Sequence, residues 1–324
     1  MPPIHVLSDE DIAASLSLEK LLPVIVDTFK AQQNGAYEQP SRPHFPVGTG
    51  ENGAAGTALT MPAYIHDHEF FATKLVTVHE RNPERNLPTV QAQIVLTDAT
   101  TGEPVAFMAG NRITNARTGC IGGIAAQALA HKPITLGLIG AGTQARWQAR
   151  AIATATSVET IKVYSPSDSK YSCANDLASE LDVVTTATES PENAVMDADV
   201  VVTATTSTEP VVEGSAIPAG AVVVAVGAYT KQMQELDATI YSRATACFAD
   251  VPEEVAQTGG PIAANMQAND FLPFATICTD EYTREDEDDI LIVNSVGTAL
   301  LDVATAEHIY EICHNKKLGT VVTI

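Results

Sequence analysis

Leu136-Gly137-Leu138-Ile139-Gly140-Ala141-Gly142-Thr143-Gln144-Ala145, near the middle of the 324-residue chain, decides the reading of the fold. The apolar run from Ile134 to Ile139 reads as a strand, and the glycine-rich turn after it opens a helix near Thr143. Gly140 permits the tight turn, Gly142 lets a pyrophosphate approach the backbone closely, and Ala145 is small enough for helix and strand to pack. The first helical N–H groups, around Thr143 and Gln144, then face the phosphates with the positive end of the helix dipole. A glycine turn alone is a weak signal. Here a strand precedes it, a helix follows and further strand-like runs come after, so a dinucleotide site is expected.

Apolar runs at Leu136–Ile139, Thr160–Tyr164, Val183–Thr186, Val200–Ala204, Val222–Val226, Ala246–Phe248 and Ile290–Val293 alternate with helical stretches such as Gln144–Ala155 and Asp168–Glu180. That alternation predicts a Rossmann-type doubly wound parallel sheet over residues 119–294. Upstream the pattern changes. An opening helix, Asp9–Asn34, is expected to be interrupted at Pro23, and a Pro/Gly-rich stretch runs from Gln39 to Gly56. Strands then alternate with turns at Leu59–Tyr64, Phe70–Val78, Thr89–Asp98 and Val105–Ala109, with Thr101-Gly102 marking a hairpin. A helix from Asn115 to Ala130 carries the chain onward. A last helical stretch, Thr298–Lys316, is expected to stop at Gly319. The predicted fold class is α/β, with a second α+β domain for substrate binding and dimerisation formed by residues 1–118 and 295–324. No internal repeat or low-complexity segment is visible.

Forty acidic residues against 18 basic ones give a formal charge of −22. A nucleic-acid binder needs a basic surface to displace counterions, so that class is excluded, and the charge lends no support to a membrane surface. The acids are scattered apart from Glu285-Asp286-Glu287-Asp288-Asp289 and read as solvated surface. No apolar run reaches the length of a membrane span, and Met1-Pro2-Pro3-Ile4-His5 lacks the start of a signal peptide. The five cysteines are far apart, without a C-x-x-C pair, as in a reducing cytoplasm. His66 and His68 lie two apart and the other six histidines are scattered, so no metal site is expected.

More specific than the glycine turn are Phe71-Ala72-Thr73-Lys74-Leu75-Val76-Thr77-Val78, Asn82-Pro83, Leu87-Pro88-Thr89-Val90-Gln91, Asp98-Ala99-Thr100-Thr101-Gly102-Glu103-Pro104, Ala116-Arg117-Thr118-Gly119 and Glu235-Leu236-Asp237. In this order they resemble the ornithine cyclodeaminase/mu-crystallin family, over nearly the whole chain. The resemblance implies a homodimer that exchanges hydride between NAD(P) and the α-carbon of a small amino or imino acid. It also implies that Arg42, in Pro40-Ser41-Arg42-Pro43, and Arg117 bind the substrate carboxylate, a task suited to a planar fork of donors. Lys74 matches the family's active-site lysine, which bonds the carboxylate or helps proton transfer at the α-nitrogen. By pattern alone, a lysine between apolar strand residues faces solvent, because burying it unpaired is costly. Thr89 matches a pocket threonine. Thr118 is placed to reach cofactor phosphates, and Thr205 and Val226 line the cofactor at the ends of later strands.

Cofactor choice is read at the end of the second nucleotide strand, where an acid binds the ribose hydroxyls and repels a 2′-phosphate. Ser165 stands there in Tyr164-Ser165-Pro166-Ser167-Asp168. Ser165 and Ser167 can donate to a phosphate, Lys170 follows, and Asp168 is expected to cap the next helix. NADP is therefore favoured over NAD. Two departures from the family pattern bear on the reaction. Tyr229 stands where cyclodeaminases carry an aspartate, and Leu59 where they place a pocket glutamate before Met-Pro. Ring closure of ornithine needs such a carboxylate to take a proton from the distal amine. The expected activity is thus imine reduction or amino-acid dehydrogenation, of which an alanine dehydrogenase is one form, with Tyr229 in the substrate pocket. An ornithine cyclodeaminase is the alternative, and a non-catalytic NADP(H)-binding protein the second. Asp237 and Asp302 recur in the family and are read as structural acids.

Overall fold

The computed structural model describes residues 3–50, 53 and 55–323; Met1, Pro2, Ile324, and Glu51, Asn52 and Ala54 of the Pro/Gly-rich stretch lie outside the described residues. In chain order, β1 (Pro3–Leu7), α1 (Asp9–Ala13) and α2 (Leu18–Gln33) lead to β2 (Tyr37–Glu38), β3 (His44–Val47), β4 (Gly56–Ile65), β5 (Phe70–Val78), β6 (Val90–Asp98), β7 (Pro104–Ala109) and α3 (Gly110–Leu129). There follow β8 (Ile134–Ile139), α4 (Thr143–Ala155), β9 (Val158–Tyr164), α5 (Ser169–Leu181), β10 (Val184–Ala187), α6 (Pro191–Val195), β11 (Val200–Thr203) and β12 (Val222–Ala225). The chain closes with α7 (Ala238–Arg243), β13 (Ala246–Ala249), α8 (Pro252–Val255), α9 (Gly259–Ala263), β14 (Leu272–Pro273), α10 (Ala275–Cys278), β15 (Leu291–Asn294), α11 (Ala299–Lys316) and β16 (Thr320–Thr323). Two compact units result: Met1–Arg117 with Thr298–Ile324, and Thr118–Gly297.

The first unit is one sheet in the order β16-β1-β7-β6-β5-β4-β2, with β3 also paired to β4. All pairings are antiparallel except that of β1 with β7. Alternation sends Phe70, Ala72, Lys74 and Val76 of β5 to the covered face. There α11 packs against β4, β5 and β6, and Leu300, Val303, Ala304 and Ile309 join Met61, Ile94, Leu96 and Met108 in one core. The Thr101-Gly102 hairpin forms as expected: Gly102, at φ 76°, donates to the Asp98 carbonyl at 2.9 Å.

Several boundaries differ from the sequence reading. The opening helix breaks at residues 14–17, not at Pro23, which lies inside α2. The break follows from local polar bonds: Ser15 Oγ donates back to the Asp11 carbonyl (2.9 Å), and Ser17 then starts α2 from an extended conformation. Helix α3 begins at Gly110, five residues early, because Asn111 Oδ1 and Nδ2 bond the β6 backbone at Ala92 and Val90. Helix α11 ends at Lys316 as expected, but the residue that terminates it is Lys317, in the left-handed conformation (φ 55°), and not Gly319. Gly319 (φ 87°) makes the next bend, where a Cβ would meet Leu7 and the Val6 carbonyl. Strands β1 and β16 are absent from the sequence reading, since each is short and its partners are distant in sequence, and short β3 lies in the Pro/Gly-rich stretch although its partner β4 is near.

The second unit is an all-parallel sheet in the order β10-β9-β8-β11-β12-β15-β13-β14. Its first five strands reproduce the doubly wound pattern, with the switch between β8 and β11, where ligand crevices form. Central strands such as Val200–Thr203 and Val222–Ala225 are buried on both faces, which explains their unbroken apolar text. Within this unit α3 lies close to α4. Gln148 Nε2 donates to the Thr118 carbonyl at 2.9 Å, and a Cβ at Gly119 would stand 2.7 Å from the Trp147 carbonyl oxygen.

Candidate active site

Lys74 is 2% exposed, contrary to the solvent-facing position that its pattern alone suggests. It stands in the inward row of β5, opposite Met61 of β4 and Ile94 of β6. An ammonium in such surroundings needs a partner. Asp302, in the first turn of α11, supplies it: Asp302 Oδ2 lies 2.5 Å from Lys74 Nζ. The other oxygen, Oδ1, accepts from Nε of buried Arg117 at 3.0 Å. Burial lowers the Lys74 pKa, the charges of Arg117 and Arg42 add to that, and Asp302 pulls the other way; the result is about 8. Burial also opposes the charge on Asp302, but Arg117 and then Lys74 outweigh it and hold that carboxyl below its ordinary range. Two cations thus share one carboxylate, leaving an excess positive charge inside a strongly acidic chain.

Half-buried Arg42 acts on Lys74 through its charge. Its segment is anchored by Gln39, whose Oε1 accepts from Thr298 Oγ1 and from the Leu300 N–H (3.2 Å) at the start of α11. The α11 terminus therefore organises both Asp302 and the stretch that carries Arg42. Thr89 is not brought beside Lys74. It precedes β6, five residues from Ile94, which register places opposite Lys74, or roughly 16 Å along a strand. Exposed Tyr229 belongs to the second unit, in the loop after β12. Asp302 is the residue that sequence reasoning undervalued. The available signal was an acid inside Ala299-Leu300-Leu301-Asp302-Val303-Ala304, where every neighbour is apolar. Asp237 is structural, accepting from the N–H groups of Ile240 (2.9 Å) and Gly214 (3.1 Å) to start α7.

In the second unit, Gly140 adopts φ 115°, and a Cβ there would stand 2.5 Å from the Ala204 carbonyl oxygen. Only glycine meets both conditions. Gly142 begins α4 from an extended conformation and, having no side chain, supplies no cap of its own to the first turn of the helix. A Cβ at Gly142 would meet nothing within 4 Å, so the space before this helix end is clear for a phosphate, and the residues present fit a dinucleotide. At the end of β9, buried Ser165 lies within 3.3 Å of Ser167 Oγ and 3.4 Å of Ser169 Oγ, while the latter two are 2.6 Å apart. Ser169 joins the two expected serines. Lys170 is instead engaged with Glu189 (2.9 Å) and lies over the rings of Tyr164 and Tyr171, so it is not held ready for a phosphate. Asp168 precedes α5 but makes no capping bond, because its backbone is already helical. Thr118 is buried in α3. Thr205 and Val226 follow β11 and β12, and a buried carboxylate ties the two loops. Glu235 accepts from the Thr205 N–H at 2.6 Å and the Gly227 N–H at 2.7 Å. Among the described residues, no group of three His, Cys, Asp or Glu side chains is arranged to hold a metal.

The model of the ornithine cyclodeaminase/mu-crystallin family matches residues 4–317. Alanine dehydrogenase of Archaeoglobus fulgidus is 30% identical over 326 residues, spanning 98% of this chain and 97% of that protein. The structure of Thermococcus litoralis Δ1-pyrroline-2-carboxylate reductase in complex with NADH and L-proline superposes with a TM-score of 0.93 at 31% identity, covering 98% of this chain and all of that one. An archaeal alanine dehydrogenase dimer with bound NAD superposes with a TM-score of 0.90 at 28% identity, covering the whole of both chains.

Gly142→Val tests the reading of the α4 terminus. Its side chain enters open space, so the thermal midpoint should hold, while affinity for NADH or NADPH, followed by nicotinamide fluorescence, should fall by at least about tenfold. Unchanged affinity would place the phosphates elsewhere.

Proposed function

This chain belongs to the ornithine cyclodeaminase/mu-crystallin family, and from that premise we propose that it is an NAD(P)-dependent oxidoreductase that interconverts a small α-imino acid and the α-amino acid. The observation that carries this reading is the buried pair of cations, Lys74 and Arg117, held on a single carboxylate with Arg42 adding its charge. An excess of buried positive charge is stabilised by an anion, and a substrate α-carboxylate supplies one. Arginine forks at 42 and 117 fix the carboxylate, and with it the orientation of the α-carbon. Lys74, with a pKa near neutrality, can give a proton to the substrate nitrogen in reduction or take one in oxidation. The nicotinamide, when bound, supplies or accepts the hydride. The relatives named above act on alanine and on pyrroline-2-carboxylate, which share this α-imino/α-amino carboxylate chemistry.

Tyr229 and Leu59 disfavour cyclodeamination, since neither offers the carboxylate that would take a proton from the distal amine. The test is a panel following NAD(P)H absorbance with pyruvate plus ammonia, pyruvate plus methylamine, cyclic imino acids and ornithine. Cofactor oxidation with an imine is expected to outpace proline release from ornithine. Rapid proline formation without net cofactor change would reverse the assignment.

The three hydroxyls at 165, 167 and 169 carry no negative charge to repel a 2′-phosphate, which favours NADP. Ser165→Asp should shift the ratio of kcat/KM for the two cofactors at least about tenfold toward NAD, since like charges at close range cost more than the 1.4 kcal/mol this requires. An unchanged ratio would remove Ser165 from the ribose site.

The active form is a cytoplasmic homodimer in this reading. The uncovered face of the first unit's sheet presents Phe107 (46% exposed) and Leu75 (44%) beside Phe71 and Val95, an apolar row that a second copy would cover. An open pocket of about 300 Å³ between Pro40, Pro62, Tyr64 and Phe71 lies on the same unit. In light scattering the wild type should weigh twice the 34.2 kDa chain, and Phe107→Asp should shift it toward the monomer. A monomeric wild type would remove the dimer from the proposal.

A further inference from the structure

Asp302 has a place in this site that neither Lys74 nor Arg117 explains by itself. It lies one turn into an apolar helix, 1% exposed, where a leucine would pack without the cost of desolvating a charge. Its two oxygens are divided between different partners: Oδ2 faces Lys74 Nζ at 2.5 Å, and Oδ1 accepts from Arg117 Nε at 3.0 Å. The bond to Arg117 uses Nε and so fixes the plane of the guanidinium while engaging none of its terminal nitrogens. The helix that carries Asp302 is itself capped by Thr298, which also binds Gln39 upstream of Arg42.

We propose that Asp302 is a positioning residue for the reaction: one oxygen holds and charges Lys74 while the other aims Arg117, so a single carboxylate links the proton source to the substrate grip. This rests on the oxidoreductase reading above. In reduction, the Lys74 ammonium would give its proton to the imine nitrogen, with a bound NAD(P)H supplying the hydride for the α-carbon and leaving as NAD(P)+, and Lys74 would regain its proton from water. Among the described residues, the charged groups facing Lys74 are Asp302 from α11, Arg117 from α3 and Arg42 from the segment before β3; its neighbours on β4 and β6, Met61 and Ile94, carry no charge. Asp302 is the anion of that set. Without it, burial and two like charges act on Lys74 unopposed and favour the neutral amine.

Asp302→Asn keeps the shape and removes the charge. Lys74 is followed in two ways: by the 13Cε NMR titration of lysine-labelled protein, its signal assigned by loss in Lys74→Gln, and by the pH profile of kcat for reduction. In the wild type both should titrate near 8. In Asp302→Asn both should move at least one pH unit to the acid side, with a raised KM as Arg117 loosens, and on a Lys74→Gln background the same substitution should change kcat by less than about threefold. An unmoved titration, or an equal loss of kcat on both backgrounds, would overturn the proposal and leave Asp302 a packing residue. If two uncompensated cations prevent Asp302→Asn from folding, the Lys74→Gln/Asp302→Asn pair, which removes opposite charges together, is compared with Lys74→Gln. A KM raised by the second change supports the hold on Arg117, and an unchanged KM refutes it. The NMR titration needs no turnover. A shifted signal in a protein inactive on every imine would therefore reject the oxidoreductase reading while sustaining the role of Asp302.

Discussion

One buried carboxylate, Asp302, makes it possible for the first unit to keep two cations inside its core. A lysine and an arginine at 2% and 4% exposure would each carry a large desolvation cost if left alone, and together they would repel each other. The carboxylate between them offsets both effects but does not cancel the charge. What remains is a buried cluster with one more positive than negative charge, in a chain whose formal charge is −22. In the proposed function, this imbalance built into the core is what a carboxylate substrate answers, and three elements of the unit hold it in place. The sheet register puts Lys74 inward, α3 delivers Arg117, and the capped start of α11 delivers Asp302 while pinning Gln39.

The second unit solves a different problem by different means. Its ligand is expected to carry phosphates, and backbone geometry prepares for them more than side-chain charge does. Gly140 turns the chain in a conformation that L side chains rarely adopt, Gly142 keeps the space before the helix clear of a side chain, and the β9 terminus offers hydroxyls. Glu235 is the counterpart of Asp302 in one respect: it too is a buried acid whose two oxygens serve two partners, here the amides of Thr205 and Gly227. Burial raises its pKa, and the amide donors work against that rise. Its function is to fix the loops after β11 and β12, the ends at which a parallel sheet forms its crevice.

Much of this was legible in the text of the chain. The run from Ile134 to Ala145 specified strand, turn and helix because the chemistry of that turn is local: a positive φ, a clear approach and a small residue are demands that individual positions answer. The strands of the parallel sheet were legible for a related reason, since burial on both faces leaves no alternative to continuous Val, Ile and Ala. Short strands paired at long range were not. β1 and β16 join residues more than 300 positions apart, and nothing in Pro3–Leu7 or Thr320–Thr323 announces its partner. Boundaries set by polar bonds to distant backbone, as at Asn111, escaped for the same reason.

The site divides along the same line. Sequence determined which residue types are candidates for the chemistry, because a lysine in an apolar strand and an arginine before Thr118-Gly119 are visible as text, and resemblance implied a role for them. Tertiary structure alone decided that Lys74 points inward, that Asp302 stands between it and Arg117, that Lys170 is occupied by Glu189 and that Thr89 lies well along the strand from Lys74. The physical reason is that an ionisable group's protonation and orientation depend on what surrounds it within a few ångströms. For Lys74 those surroundings come from positions 42, 117 and 302, which only folding brings together.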